Sequence, residues 1–447
     1  MKATSFLVLC LYILSSLIYT EELSIIGFIL LYYIFGYGIL SLVQSRNDDK
    51  LRSLYSVFFG LYGIYMVTVH FLQISNWKTD FYFHNDELYF FNQTIDMTLG
   101  LPWDKVIQGT FLNSYFSEYP GAQLLYTVIA KIGKEVGVIN LRFLLASFIT
   151  FVSSLIVAFV YIIASLFNEN IKLKYFLAFG CLSYLLTSCC IFTRDVLAIF
   201  IFTLIGYVTL KPDLYLRGLF FLVLVFVASI IRWENGMFSL LFPAIFYANK
   251  YLNLNDKSVL VVSSFLVVIL LFVFLSTQIG EISSEVVTWR QGTMNNTSKG
   301  GLFQTIYSLP FPLSTFCIIV FQILMPIPFV SYIVDDYNTN VSWLLLPSLA
   351  TPFLNALMFY CGMKSFLKHR AFLSLFDFVF LLCLMYVFVT EWVEPNVRRT
   401  FAAFPLIYCY FIVNRVSLQE SDYVKFWNVY FPVLFIINVV LSIVRFC

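Results

Sequence analysis

Charge is what this chain has least of. Asp, Glu, Lys and Arg make up 12% of its 447 residues, about half the ~25% usual in a soluble domain. That shortage argues against a soluble globular protein. The formal net charge is only +2, and no block of basic residues is interleaved with aromatics, so nothing points to a nucleic-acid partner. Histidine is rarer still, at 3 residues, and none of the 9 cysteines falls in a Cys-x-x-Cys pair or a metal-type spacing. The cysteines read as small apolar residues inside hydrophobic runs, and no metal centre is expected from them. A P-loop, a Rossmann glycine fingerprint, a nucleophile motif, an internal repeat and a low-complexity tract are absent as well. Those absences remove nucleotide-fold enzymes and repeat scaffolds from consideration.

What fills the sequence is hydrocarbon. Hydrophobic residues make up 60% and aromatics 19%, and the mean hydropathy is +0.87. A membrane span takes about 20 apolar residues, and short loops rich in Lys and Arg stay on the cytoplasmic side. Such loops carry Arg46, Lys50 and Arg52; Lys172 and Lys174; Lys211 and Arg217; Lys250 and Lys257; and Lys364, Lys368 and Arg370. With these inside, the chain divides into about 13 apolar spans with the N-terminus on the cytoplasmic side. They lie near 5–20, 24–42, 53–73, 140–167, 175–193, 196–210, 215–231, 236–250, 258–276, 343–362, 372–389, 399–414 and 427–444. The opening stretch "MKATSFLVLCLYILSSLIYTEE" lacks a small-residue cleavage site and runs straight into a further span. It therefore reads as an uncleaved first helix.

The remaining charges collect on the other side. A single helix over 175–210 would be about 54 Å long at ~1.5 Å per residue, against a hydrocarbon core of ~30 Å. The run must fold back, and the turn is expected at Thr193–Arg194–Asp195. The same reasoning puts Arg232 and Glu234 of "SIIRWENGMF", and Glu391, Glu394, Arg398 and Arg399 of "TEWVEPNVRRTF", at hairpin tips on that outer face. Two larger outer regions, 74–139 and 277–342, join them. The second contains "LPFPLSTFCIIVFQILMPIPF", whose bracketing prolines suggest a re-entrant segment shielded by protein. One all-α polytopic membrane domain is expected, with an outward-facing polar cleft.

Ion pairs that merely pin helix ends would explain each charged tip alone. Several tips on one face favour a shared cleft, and ionisable groups in a membrane bundle point to function. Arginine recurs at the tips (Arg194, Arg232, Arg398, Arg399) and at Arg290 of the polar stretch "WRQGTMNNTSKGG". Its planar fork suits phosphate oxygens. Asp86 and Glu87, in the aromatic-rich "FHNDELYFFNQ", could serve as a general base or hold a divalent cation. A solvated loop face is the plainer reading of that pair, and a mobile loop the plainer reading of Arg290.

Taken together, "NDELY", "YPGAQLLYTVIAKIG" and the Arg opening "NLRFLLASF" resemble the first outer loop of GT-C-type membrane glycosyltransferases. The later order resembles bacterial O-antigen and exopolysaccharide repeat-unit polymerases, the Wzy and EpsG-like families. It runs from "TRDVLA" through "LLFPAIFY" to the late arginines of "RRTFAAFPLIYCYFI". The chain departs from the EpsG-like pattern in its additional N-terminal spans and in "RWENG" where that pattern carries a histidine motif.

The resemblance implies a GT-C-like fold in the bacterial inner membrane. It implies an undecaprenyl-diphosphate-linked oligosaccharide as substrate, met at the outer face, with a chain-length regulator and a flippase as partners beside the membrane lipid. On that reading Arg194, Arg232, Arg398 and Arg399 hold diphosphate, with Arg290 also on the substrate. Asp86 or Glu87 takes the proton of the acceptor hydroxyl, and Asp195 and Glu234 orient the neighbouring arginines. A GT-C transferase using a polyprenyl-phosphate sugar is the alternative. A lipid-linked oligosaccharide flippase comes third, since transporters usually show repeats converging at the midplane.

Overall fold

The computed structural model describes residues 2–43, 48–77, 85–113, 120–191, 193–252, 317, 350–368, 374–393, 401–414 and 420–446. Among these no strand occurs. The elements are α1 (Lys2–Thr20), α2 (Leu23–Val43), α3 (Asp49–Trp77), α4 (Asn85–Gly100), a 3-10 turn (Trp103–Lys105), α5 (Val106–Asn113), α6 (Pro120–Glu135) and α7 (Leu141–Ser165). Then come α8 (Leu173–Leu182), α9 (Tyr184–Ser188), α10 (Arg194–Leu210), α11 (Arg217–Ile231), α12 (Trp233–Leu252), α13 (Thr351–Lys368) and α14 (Leu375–Val393). A second 3-10 turn (Phe401–Ala403), α15 (Phe404–Asn414) and α16 (Glu420–Phe446) complete the order.

The described parts of the expected spans are mostly helical, 175–193 being interrupted, and 258–276 lies wholly outside the described residues. Among the described residues, four helices are long and apolar enough to cross a membrane: Ala3–Thr20, Leu23–Val43, Asp49–Phe71 and Leu141–Ser165. Shorter apolar helices run over Leu173–Leu182, Arg217–Ile231, Phe353–Leu367, Leu375–Val387 and Phe401–Asn414. The bundle is built around α7, whose apolar span is 94% buried, whereas that of α1 is 17% buried. Helix α1 thus carries its Leu and Phe side chains on an outer surface, as a lipid-facing helix would.

Between apolar helices in lipid, close packing replaces water exclusion as the source of cohesion, and small residues let backbones approach. A Cβ on Gly60 of α3 would lie 2.8 Å from the Val8 backbone of α1. One on Gly180 of α8 would fall within 2.1 Å of the Phe58 ring. Beside these contacts, Tyr33 and Tyr55 stack with ring centroids 5.7 Å apart.

Hydrogen bonds define the two ends of the bundle. At one, Glu22 accepts from the backbone N–H groups of Ile139 and Asn140, both at 2.9 Å. Asn140 in turn caps α7 by accepting from Phe143 N at 3.0 Å. At the other end, Tyr161 donates to Asp48 at 2.9 Å and Lys211 donates to Val43 O at 3.2 Å. Since α10 ends beside Val43, its first residues, Arg194 and Asp195, belong to the Glu22 end.

Two local features differ from the sequence expectation. The stretch 175–193 is not one helix. It breaks at Ser183, whose side chain accepts from Leu185 N at 3.3 Å to start α9. The chain then turns at 189–191, so Arg194 and Asp195 are the first residues of α10 and not the turn itself. Region 74–139 is not an open loop either, for α4, α5 and α6 occupy most of its described part. Pro120 sits at the first position of α6, where its missing N–H costs nothing, and Gly137 at φ 87 ends the helix region. Lys131 of α6 donates to Thr98 O and Leu101 O at the end of α4, satisfying carbonyls that have no partner within the helix. The expected re-entrant segment and most of 277–342 lie outside the described residues.

Candidate functional site

Two helix starts meet at the Glu22 end. Thr193 precedes α10 in extended conformation and makes no side-chain cap bond to the helix. Arg194 and Asp195 open the helix, both buried. Arg232 is the single residue separating α11 from α12, extended at φ −162, ψ 112. Gly236 N bonds to its carbonyl at 3.1 Å, so the first turn of α12 closes directly on it. The Arg232 guanidinium reaches Asp195 Oδ1 at 3.4 Å, and the two side chains are only 5% and 6% exposed. Thr193 Oγ1 donates to the other carboxylate oxygen at 3.2 Å. The hairpin tips around Arg194 and Arg232 are therefore joined into one buried polar cluster.

The elements around the cluster hold it from three sides. Tyr126 of α6 donates to Thr193 O at 2.7 Å, tying the α4–α6 module to the start of α10. The same helix leans on the end of α11, since a Cβ on Gly121 would lie 2.9 Å from Ile230 O. Gln123, one turn before Thr127, donates to Thr94 at 2.7 Å and so fixes α6 on α4. On the far side Tyr386 of α14 donates to Asn235 Oδ1 of α12 at 2.6 Å. Below, Phe202 packs on Phe242 and on Tyr386, and Phe238 packs on Tyr386, with centroids 4.9–5.1 Å apart. The 3-10 turn Phe401–Ala403 packs against α10 and α14.

An aromatic floor and buried walls lower the local dielectric, which strengthens any charge–charge interaction made there. The Arg232 guanidinium faces the Asp195 carboxylate, and Arg194, next to Asp195 in the chain, is buried with them. Buried guanidinium groups at a helix start suit an anion, and the N–H groups of the first turns of α10 and α12 add partial positive charge there. Arg142, at the start of α7, is also buried at this end.

Of the residues expected at a site, Arg194, Asp195 and Arg232 come together. Asp195 holds Arg232 across the helix pair. Glu234 falls in the first turn of α12, and Asp86 and Glu87 in the first turn of α4; their side chains lie outside the described residues. The backbone of Asp86 is one turn before Phe90, whose ring meets Tyr126 edge-on at 6.2 Å, so α4 begins beside the cluster. Arg290, Arg398 and Arg399 lie outside the described residues. Among those described, no three of His, Cys, Asp and Glu gather as metal ligands.

Sequence reasoning missed Tyr126, Asn235 and Tyr386. Tyr126 stood in the quoted "YPGAQLLYTVIAKIG", where its spacing from Ala122 and Ala130 marks the buried face of α6. Asn235 stood in "RWENG", one polar residue beyond the charges. Tyr386 is one aromatic among many in an apolar run and carries no such signal.

Fold and site together define an all-helical bundle of membrane character with a buried, arginine-bearing polar cluster at one end. No protein-family model matches the chain, and neither a curated protein nor a solved structure matches it.

Proposed function

We propose that this protein is a membrane glycosyltransferase of the polysaccharide-polymerase kind. It would transfer a growing undecaprenyl-diphosphate-linked glycan onto an incoming lipid-linked repeat unit at the outer face of a bacterial inner membrane. The observation that carries the reading is the buried convergence of Arg194, Asp195 and Arg232 where α10 and α12 begin. A lipid-linked diphosphate must be met at one end of a bundle, by fixed cations, in a site from which water is largely excluded. The apolar helices, four of which among the described residues are long enough to cross a bilayer, anchor that end at the membrane surface.

In the reaction, a hydroxyl of the acceptor sugar attacks the anomeric carbon of the donor glycan. The bond from that carbon to the diphosphate oxygen breaks, and the lipid diphosphate leaves with the electron pair. Arg194 and Arg232, with Arg398 and Arg399 as further candidates, stabilise the charge that develops on the leaving group. Asp195 keeps the Arg232 guanidinium in place. The acceptor proton passes to the carboxylate of Asp86 or Glu87, two residues of the first turn of α4. Glu234 and Arg290 complete the substrate contacts in this reading.

One observation favours a GT-C transferase with a polyprenyl-phosphate donor as the second reading. The helical module α4–α6 is docked onto the site through Tyr126, on which Phe90 packs, an arrangement suited to holding one donor sugar.

Arg194→Ala in a complemented deletion strain tests the polymerase reading. Removing one charge-stabilising donor costs about 10²–10³ in rate, so the polysaccharide ladder should vanish while membrane levels of the protein persist. A normal ladder from that variant would exclude Arg194 from the chemistry.

A further inference from the structure

Asn235 sits in the first turn of α12, three residues after Arg232, and is 2% exposed. Its Oδ1 accepts from Tyr386, which fixes the plane of the amide. Its Nδ2, turned away from Tyr386, has no hydrogen-bond acceptor. One turn further along the same helix face, the Ser239 hydroxyl is fully buried and likewise makes no hydrogen bond. Buried donors without acceptors are costly and uncommon in native proteins. Two on one stripe, starting at a buried arginine, mark a place where a ligand completes the bonding.

We propose that the starts of α10 and α12 form one anion site in which Asn235 is a further ligand-contacting residue. Its amide N–H group, the guanidinium of Arg232 and the first-turn N–H groups of the two helices together take the oxygens of a phosphate-type anion. The Asn235–Tyr386 bond aims the donor. Ser239 receives whatever polar group lies next to the anion on the bundle side. Asn235 is suited to this position because its neutral donor adds no like charge beside two arginines. The site rests on the geometry of α10, α12 and α14; only the identity of the anion as the diphosphate of a lipid-linked glycan rests on the proposed function.

The test separates the two halves of the Asn235 amide. Full-length protein in detergent is titrated calorimetrically with inorganic pyrophosphate. Asn235→Asp keeps an acceptor for Tyr386 but removes the donor, and should weaken binding by about tenfold or more, the size of a lost hydrogen bond to a charged group. Tyr386→Phe removes the bond to α14 but keeps the donor, and should change affinity by less than about threefold while lowering the thermal midpoint. Equal weakening in both variants would mean that Asn235 only braces α12, and would overturn the proposal. Unchanged binding in Asn235→Asp, or no pyrophosphate binding by the wild type, would overturn it too.

Competition in nanodiscs then identifies the source of the anion. Displacement of pyrophosphate by undecaprenyl diphosphate but not by phosphatidylglycerol supports the lipid-linked donor. Equal displacement by both leaves the Asn235 site standing and removes the donor assignment from the proposed function.

Discussion

Neutralising Asp195 should cost far more than its modest size suggests. Its carboxylate lies 3.4 Å from the Arg232 guanidinium, with both side chains about 95% enclosed. Two unit charges at that separation attract by about 5 kcal/mol at an effective dielectric of ~20. Desolvation offsets much of this when the pair is intact, but removing one partner leaves a buried charge, and such losses run to ~3–5 kcal/mol. Asp195→Asn removes the carboxylate that Arg232 reaches at 3.4 Å and leaves that guanidinium buried. Replacing both partners, Asp195→Asn with Arg232→Gln, removes the attraction and the stranded charge together. The double variant should therefore be destabilised by less than the sum of the single ones, with a coupling of about 2–3 kcal/mol. Reversible unfolding of the detergent-solubilised protein in increasing SDS measures all four corners of the cycle. Additivity within ~0.5 kcal/mol would refute the reasoning, because it would mean that the pair is open to solvent and screened.

Further expectations follow from the surroundings of the cluster. Tyr126→Phe deletes the bond to Thr193 O; it should cost ~1 kcal/mol and shorten the polysaccharide ladder, read by SDS unfolding and by gel. Gly60→Ala forces a methyl against the Val8 backbone and should destabilise by ~1–3 kcal/mol. Gly38→Ala, with nothing within 4 Å of the added carbon, should be neutral or stabilising by up to ~1 kcal/mol; thermal stability in the same detergent compares the two. Lys131→Met leaves the Thr98 and Leu101 carbonyls without their donor and removes the ammonium over the Trp103 ring. It should loosen the α4–α6 module, seen as faster hydrogen exchange in α4 with little change in α7.

Hydropathy made the helices of the bundle legible, because a span long enough for a bilayer leaves an apolar run that nothing else explains. The run around Arg194 shows how far this goes. Length alone demanded a reversal there and put Arg194, Asp195 and Arg232 at one end. The pairing of Asp195 with Arg232, by contrast, depends on how α10 packs on α11 and α12, and no local pattern encodes it. The break at Ser183 was hidden because neither Gly nor Pro marks it; a serine side chain bonding Leu185 N does the work. The helices of 74–139 were legible in part. Pro120 and the buried spacing Ala122, Tyr126, Ala130 form a helix-start and one-face pattern, set in a region whose charges and turns pointed to loop. Tyr386 shows the opposite limit: in an apolar helix every aromatic looks alike until a partner such as Asn235 singles one out.

Surface glycolipids from a strain deleted for this chain, run on a gel beside the complemented parent, test the polymerase function most directly. The expected result is a ladder in the parent and, in the deletion, lipid core capped by a single repeat unit. A deletion strain that shows no repeat unit at all would contradict it, pointing to an earlier transferase or a flippase and removing the catalytic roles given to Arg194 and Arg232.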